Sequence, residues 1–377
     1  IILFDMKFIV SSSALLKQLQ QISGVINANT VLPILEDFLF EIQDKKLSIT
    51  ATDLDTTMAV SLDVESKENF KVAIPARILL DSLKALPEQP ITIAVDETTN
   101  GIEITTDNGK YKLSGENSAD FPKEPVAEGV DEVKLAASIL NKGVSKTLFA
   151  VSSDELRPAM TGVYFELSKK ALRMVATDAH RLICFTRNDI TCPKEDSFIV
   201  PRKPLTLLKS GLKNDESVVK ISYNKNHFFV IQDDIQLSCR LIDARFPDYR
   251  VVIPIDNPYL LTVKKSDFQN ALRRVSVFSN KSTSLVVLNI AGSELRLDAQ
   301  DIDFSNEGNE VMECSYTGED LQIAFNGKFL VDVLNAPESD EIIFELASST
   351  RAGIIKPVST NEDEELLMLL MPLMINI

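Results

Sequence analysis

The sequence predicts an α+β protein built from three tandem copies of one domain, each with two helices packed on antiparallel sheets. Two observations support this prediction. Sequence elements recur at intervals of about 125 residues along a chain of 377 residues. Each interval contains two segments with helical spacing of apolar residues and several segments with the alternating pattern of strands. Hydrophobic residues make up 45% of the chain, which excludes a disordered protein.

An aspartate that ends one predicted strand marks the repeat. Asp53, Asp178 and Asp301 each follow an alternating segment, and they are 125 and 123 residues apart. Two further elements keep this period. Ile-Pro-Ala-Arg at 74–77 matches Val-Pro-Arg-Lys at 200–203 and Phe-Asn-Gly-Lys at 325–328, and Asp-Phe-Pro at 120–122 matches Arg-Phe-Pro at 245–247. This period exceeds the ~20–50 residues of solenoid repeats, so each copy should have its own core. We place the domains at 6–127, 128–249 and 250–377.

Each copy begins with one predicted helix and contains a second after the Pro or Asn junction. Because proline near the first turn favours helix initiation, the second helices are predicted over 76–86, 202–213 and 327–335. The segments between the helices alternate and are separated by turns such as Asp107-Asn108-Gly109, which predicts antiparallel strands. Apolar residues at helical spacing mark the first helices: Leu15, Leu16, Leu19 and Ile22; Ile139, Leu140, Val144 and Leu148; Phe268, Leu272 and Val275.

The composition offers little for catalysis or metal binding. The chain has two histidines and no phosphate-binding loop, dinucleotide-binding, zinc-protease or EF-hand motif. We therefore predict no cofactor and no metal. With no run of about 18 apolar residues, we predict no membrane span, and residues 1–5 lack a basic signal region, so Met6 is the expected natural start. The four cysteines, Cys184, Cys192, Cys239 and Cys314, form no CxxC pair, which predicts buried thiols in a cytoplasmic protein.

One segment places an acid, a base and a cation together. Asp178, His180 and Arg181 could serve a hydrolase. Alternatively, they form a turn in which the aspartate caps backbone N–H groups. The matching Asp53 and Asp301 lack the histidine, so we favour the structural interpretation and predict no catalytic residue.

Charge is distributed unevenly between the predicted helices and the rest of the chain. The chain has 39 basic and 55 acidic residues and a formal net charge of −16. By contrast, the helix windows 11–23, 75–86, 137–149, 202–213, 266–277 and 327–335 hold twelve basic residues and three acidic ones. Basic helices without interleaved aromatic residues or a recognition-helix motif predict sequence-independent contact with the phosphates of duplex DNA. The candidate DNA-binding residues are Lys17, Arg77, Lys84, Lys142, Lys146, Arg202, Lys203, Lys209, Lys213, Arg273, Arg274, Lys328 and, beyond the fifth window, Lys281.

Motifs along nearly the whole chain, from Met6 to about Leu373, resemble those of the bacterial DNA polymerase III beta subunits, the sliding clamps. They are Val-Ala-Thr-Asp-Ala-His-Arg-Leu at 175–182, Val-Pro-Arg-Lys at 200–203, Arg-Phe-Pro-Asp-Tyr-Arg at 245–250, Asp-Val-Leu-Asn-Ala at 332–336 and Met-Pro at 371–372. The resemblance implies a head-to-tail homodimeric ring whose helices surround duplex DNA. It also implies a processivity factor without catalytic activity, which tethers replicative and repair polymerases through short linear motifs and is placed on DNA by a clamp loader.

The resemblance also implies two further sites. The predicted homodimer interface joins Tyr111 and Leu113 of one subunit to Val277 and Phe278 of the other. A pocket for partner peptides would be lined by Met160, Thr177, Ala179, His180, Arg181, Leu182, Pro247, Val251, Val252, Asn326, Phe329, Met371, Pro372, Leu373 and Met374.

The chain departs from the family pattern in three places. Ala179 stands where glycine is common, no basic residue follows Met371-Pro372, and the turn at 27–30 lacks an arginine. Two other classes stay open at this point: a protein-binding scaffold without DNA contact, and a hydrolase using Asp178, His180 and Arg181. DNA binding separates the clamp from the scaffold, and a His180→Ala variant separates the clamp from the enzyme.

Overall fold

The computed structural model describes residues 6–28, 30–358 and 361–375, and all statements below refer to these residues. Two helices are present in each third of the chain, as predicted. The helix α2 ends at Ala85, one residue earlier than predicted, because Pro87 favours extended backbone at Leu86. The helices are α1 Ser12–Ile22, α2 Ala76–Ala85, α3 Ala137–Thr147, α4 Arg202–Gly211, α5 Lys265–Ser276 and α6 Gly327–Asn335.

Strands fill most of the remaining chain. The first third contains β1 Met6–Ser11, β2 Asp37–Gln43, β3 Lys46–Thr52, β4 Thr56–Asp63, β5 Glu65–Ser66, β6 Phe70–Pro75, β7 Pro90–Val95, β8 Gly101–Thr105 and β9 Lys110–Ser114. The middle third contains β10 Asp131–Ala136, β11 Gly162–Leu167, β12 Leu172–Thr177, β13 Arg181–Arg187, β14 Asp196–Pro201, β15 Val218–Tyr223, β16 His227–Gln232 and β17 Ile235–Arg240. The last third contains β18 Tyr259–Lys264, β19 Leu285–Ala291, β20 Glu294–Asp301, β21 Asn306–Glu313, β22 Ser315–Thr317, β23 Leu321–Asn326, β24 Glu341–Leu346, β25 Gly353–Pro357 and β26 Glu364–Leu370.

The first compact unit comprises Ile1–Asn141 and Lys203–Leu241. It holds an antiparallel five-stranded sheet, β5-β1-β7-β8-β9, and an antiparallel eight-stranded sheet, β10-β15-β16-β17-β4-β3-β2-β6. The larger sheet is continuous because β4 pairs with β17, which places Thr57 opposite Ser238. The buried face of α1 consists of Leu15, Leu19 and Ile22, the helical spacing visible in the sequence.

The second compact unit comprises Lys142–Arg202 and Ile242–Ile377. It holds a nine-stranded sheet, β14-β11-β12-β13-β26-β25-β24-β18-β22, and a four-stranded sheet, β21-β20-β19-β23, again antiparallel. Here β13 pairs with β26, and Leu182 lies opposite Leu369. The same strand pairing therefore occurs in both units, as the sequence repeat requires.

The middle third of the chain contributes to both units. Its strands β10 and β15–β17 belong to the first unit, and its strands β11–β14 belong to the second.

None of the described helices is long and apolar enough to cross a membrane. Residues 1–5, which precede the expected start at Met6, lie outside the described residues.

Candidate functional site

The turn between β12 and β13 is held by hydrogen bonds between its own side chains and its own backbone. The Asp178 carboxylate accepts through Oδ1 from the backbone N–H groups of His180 and Arg181, each at 3.0 Å. The Thr177 hydroxyl donates to the Arg181 carbonyl at 2.7 Å. Asp178 therefore caps the turn, as the structural interpretation predicted.

Ala179 occupies the left-handed region, with φ of 75°. A side chain there costs about 1–2 kcal/mol relative to glycine. The surrounding hydrogen bonds hold this backbone conformation, so the turn forms with alanine at this position.

Arg181 is buried and links this turn to two other elements of the second unit. Its guanidinium donates from Nε to Asp178 Oδ2 at 3.0 Å, from Nη1 to Asp332 Oδ2 at 2.7 Å and from Nη2 to the Phe149 carbonyl at 2.9 Å. It also stacks on the ring of Phe329, with 4.5 Å between the guanidinium carbon and the ring centroid. Arg181 thus holds the turn and Phe329 in place and has little capacity left for a ligand.

The segment after β26 lies against this turn. The Met371 N–H donates to the His180 carbonyl at 2.9 Å, and the Leu373 N–H donates to the Ala324 carbonyl at 2.8 Å. The His180 ring packs on Phe329 at 5.8 Å between centroids. These contacts bring Thr177, Ala179, His180, Phe329, Met371 and Leu373 together in one part of the second unit.

The outer members of the predicted pocket are exposed apolar residues, whereas one predicted member is core. Val251 and Met374 are each 77% exposed, and Val252 and Met371 are also exposed. Leu182, by contrast, is buried in a cluster with Phe246, Tyr249 and Leu369. Asn326 caps α6 through its Oδ1, which accepts from Lys328 and Phe329 N–H groups. Pro247 is exposed, and Met160 and Pro372 are half-buried.

Most of the candidate DNA-binding residues lie on exposed helix surface. Exposed positions favour contact with a polyanion because their charges are available without breaking a buried contact. The exposed ones are Lys17, Arg77, Lys84, Arg202, Lys209, Lys213, Arg273, Arg274, Lys281 and Lys328.

Three lysines among the candidates have structural contacts instead of full exposure. Lys146 is 5% exposed and pairs with Glu338 and Glu364 at 3.4 and 3.5 Å. Lys142 is half-buried and pairs with the same two carboxylates. Lys203 was predicted to contact DNA, which requires an exposed ammonium, but the structure shows it half-buried. Its ammonium donates to Asp53 Oδ2, Asn27 Oδ1 and the Val25 carbonyl at 2.6, 2.9 and 2.7 Å.

The predicted homodimer residues lie on or beside two sheet edges. Tyr111 and Leu113 are on β9, at the edge of the five-stranded sheet, and β21 is the edge of the four-stranded sheet. Phe278 follows α5 and is 41% exposed. A Cβ on Gly308 of β21 would approach the Phe278 ring to 2.6 Å, so β21 passes directly against this ring. Edge strands offer unpaired backbone groups to a second chain.

Within the described residues, no group of His, Cys, Asp or Glu side chains is arranged to hold a metal ion. The four cysteines are unpaired thiols. Burial raises the pKa of the Cys184 thiol, which fits a packing role.

The repeated domain, the paired sheets and the basic helices define the class of DNA sliding clamps. Solved clamps agree with this class. The sliding clamp of Pseudomonas aeruginosa, solved with griselimycin bound, superposes with a TM-score of 0.93 at 28% identity, covering 98% of this chain and 100% of that chain. The clamp of Bartonella birtlesii gives 0.91 at 29% identity, again over 98% and 100%.

Family models and curated relatives specify the class further. Models of the N-terminal, central and C-terminal domains of the DNA polymerase III beta subunit match residues 6–125, 134–248 and 250–373. The beta sliding clamp of Escherichia coli K12 is 30% identical over 357 residues, covering 94% of this chain and 97% of that protein. The chain belongs to the DNA polymerase III beta subunit family, the beta sliding clamps. The resemblance and the non-catalytic processivity function are thereby confirmed.

Proposed function

We propose that this chain forms three tandem domains, at 6–127, 128–249 and 250–377, and closes around duplex DNA as a head-to-tail homodimer in the cytoplasm. A clamp loader places it on DNA, and replicative and repair polymerases bind it through short linear motifs. The observation that carries this proposal is the concentration of exposed basic side chains on helices of an otherwise acidic chain. Such helices attract phosphates of any sequence, whereas the acidic remainder repels them.

The proposed DNA contacts are the exposed candidates given above. Lys142 and Lys203 are secondary, because each is half-buried and paired with a carboxylate. The exposed Lys84, Lys213 and Arg274 also pair with carboxylates, but these pairs lie at the surface, where they are weak. Lys146 is omitted, because exposing its buried ammonium would leave Glu364 without one of its cations.

A charge reversal of two α4 residues tests DNA contact. The Arg202→Glu/Lys209→Glu variant should load and slide poorly on duplex DNA, and wild-type affinity should fall steeply with salt because phosphate contacts release counterions. The matched control is Lys170→Glu, an exposed reversal on a turn between strands. DNA binding by the α4 variant at control level, or a strong preference of the wild type for one DNA sequence, contradicts the proposal. Loading on circular DNA and salt-dependent anisotropy are the measurements.

The proposed peptide site is the surface formed by the 177–180 turn, Phe329, the exposed linker residues Val251 and Val252, and the segment 371–374. Methionine side chains at Met371 and Met374 adapt to differently shaped apolar partners. A Leu- or Phe-rich peptide should bind with modest affinity, on the order of micromolar, because ordering the peptide offsets much of the gain from apolar burial.

The internal repeat also predicts the register of the homodimer interface. The strand β21 occupies in the third copy the place of β4 and β13, and β9 occupies the place of β17 and β26. Thr57 lies opposite Ser238, and Leu182 lies opposite Leu369. If the dimer keeps the same register, Lys112 of one subunit lies opposite Glu307 of the other subunit, and Tyr111 lies opposite Gly308 of the other subunit.

The two edges are complementary in charge and shape. The strand β9 carries Lys110 and Lys112, whereas β21 carries Glu307, Glu310 and Glu313. Tyr111 opposite Gly308 would cover the Phe278 ring beneath that glycine. Two identical head-to-tail interfaces of this kind close a two-subunit ring.

A further inference from the structure

A cavity of ≈ 380 Å³ lies in the first unit, under residues 121–130, which lie between β9 and β10 and are called the first linker below. The linker covers the outward-facing side chains of β4 and of β15–β17. The lining includes Thr57, Ala59, Glu124, Ser222, Phe229 and Ser238. Lys220 and Gln236 also line the cavity. The lining therefore combines an apolar floor with several hydroxyl groups, an amide, one carboxylate and one ammonium group.

The corresponding linker of the second unit fills the same place with its own aromatic side chains. Tyr249 is buried there in a cluster with Phe246, Leu182 and Leu369. Its hydroxyl donates to Glu166 Oε2 at 2.9 Å. The sequence repeat aligns Phe121-Pro122-Lys123-Glu124 with Phe246-Pro247-Asp248-Tyr249, so Glu124 stands where Tyr249 fills the second unit.

The sheet beneath the first linker also carries smaller side chains than the corresponding sheet of the second unit. The cross-strand pair Thr57 and Ser238 replaces the pair Leu182 and Leu369. Smaller, hydroxyl-bearing side chains on the sheet and a carboxylate in place of a phenol ring leave room for a ring supplied from outside. A mixed lining of this kind is typical of ligand sites, in which few polar groups orient an otherwise apolar ligand.

We propose that this cavity binds a tyrosine-like side chain of a partner segment that lies along the first linker. The ring would occupy the place that Tyr249 holds in the second unit, with its hydroxyl directed to the Ser238 hydroxyl or to the Glu124 carboxylate, whose Oε1 also accepts from the Thr50 hydroxyl at 2.8 Å. Val126, 70% exposed, and Ile231, also exposed, border the cavity and offer apolar surface to the rest of the segment. The site is separate from the peptide surface at 371–374 and does not depend on it.

The test uses the full-length protein with N-acetyl-L-tyrosinamide as the probe and N-acetyl-L-leucinamide as the comparison. The tyrosine compound should shift the methyl NMR signals of Val126 and Val130 saturably, and the leucine compound should not. The Thr57→Leu/Ser238→Leu variant rebuilds the leucine pair that β13 and β26 already accommodate. It should fold and bind the probe at least about tenfold more weakly, because the space is filled. Glu124→Tyr should abolish binding, because it places a ring of the chain itself in the cavity.

The controls separate this site from general effects. Leu54→Ser changes an exposed residue of the same unit outside the cavity lining and should leave probe binding unchanged. Equal shifts with both compounds, undiminished binding to a folded Thr57→Leu/Ser238→Leu variant, or shifts confined to Met371 and Leu373 would each overturn the proposal. Melting curves of every variant establish that it is folded.

Discussion

Single residues show how the turn after the repeated aspartate is stabilised by different side chains in different copies. In each copy an aspartate caps the turn after a strand. In the first two copies a charged donor also ties that turn to the 3₁₀ turn that follows the first helix. Arg181 does so in the second copy, reaching Asp178 and the Phe149 carbonyl. For the first copy the donor is Lys203, which comes from the second copy and reaches Asp53 and the Val25 carbonyl. Charged donors suit these carbonyls because helix ends carry partial negative charge.

Lys203 is therefore predicted to act on stability more than on DNA. Lys203→Met should destabilise the protein by about 1–3 kcal/mol, because it removes the ammonium donor from Asp53 Oδ2 and from the Val25 carbonyl, whereas Asp53 Oδ1 keeps its backbone donors. The neighbouring exposed Lys209→Met should leave stability unchanged and lower the salt slope of DNA binding by about 1. Denaturant unfolding and salt-dependent anisotropy give the two readouts. If Lys203→Met lowers the slope and keeps full stability, the structural assignment is wrong.

Asp37 predicts a pH dependence of stability. It is buried, and its Oδ2 has no hydrogen-bond partner. Burial, with nearby Glu116 and Glu36, raises the pKa of Asp37 to about 7. Because the folded state binds the proton more tightly than the unfolded state, stability should fall as pH rises from about 4 to about 7.

The Asp37→Asn variant removes this titration. It should melt above the wild type at pH 8 and close to it at pH 4, since the neutral amide resembles the protonated acid. Asp234→Asn changes an exposed aspartate and serves as the control. A constant difference in melting temperature across this pH range would exclude Asp37 as the cause.

At the scale of elements, the segment of residues 371–374, which follows β26, forms part of the proposed peptide site. Its backbone bonds to His180 and Ala324 hold Met371 and Leu373 in place. The last strand itself is complete at Leu370, which pairs with Gly353 and Arg181. The segment can therefore be removed without opening the nine-stranded sheet.

Deleting residues 371–377 is predicted to abolish binding of a Leu- and Phe-containing peptide while the dimer and the melting behaviour are largely kept. The milder Met371→Ser/Met374→Ser variant should weaken binding, because apolar contact area contributes about 25 cal/mol per Å². Leu260→Ser, an exposed change on β18, is the control. Fluorescence anisotropy with the labelled peptide measures the effect. Unfolding of the second unit, or unchanged affinity, contradicts the role of this segment.

At the scale of the whole molecule, the register proposed for β9 and β21 predicts the behaviour of the homodimer. Lys112→Glu and Glu307→Lys should each raise the dimer dissociation constant, because like charges then face each other. The double variant should recover much of the loss, which identifies a direct pair. Mass photometry at low concentration provides the measurement.

Two further variants complete this test. Phe278→Asp should separate the subunits, because it buries an unpaired charge in the interface. Lys134→Glu, an exposed charge reversal on β10, which belongs to neither of the two interface sheets, should leave the dimer intact. Independent, additive effects of Lys112→Glu and Glu307→Lys would refute the register, and a Phe278→Asp variant that remains dimeric at low concentration would refute the interface.

Much of the fold was predictable from the sequence because local patterns encode it. The spacing of Leu15, Leu19 and Ile22 predicted α1, and the recurrence of Asp53 and Asp178 predicted repeated turns. These signals depend on neighbours in the chain, on the alternation of strands and on the periodicity of helices. The turn at 177–182 and the contacts of Met371 with it followed from motifs of the family.

What the sequence by itself determined is the triplicated domain, the uneven charge and the family of the chain. Only the tertiary structure decided that Lys146 is buried, that Lys203 supports Asp53, that Leu182 is core, and that the first linker leaves a cavity where Tyr249 fills the second. Burial and pairing depend on residues far apart in the chain, such as Lys146 and Glu364 or Thr57 and Ser238. A lysine in a helix pattern looks the same whether it meets solvent or a carboxylate, because its environment is set by the packing of distant segments.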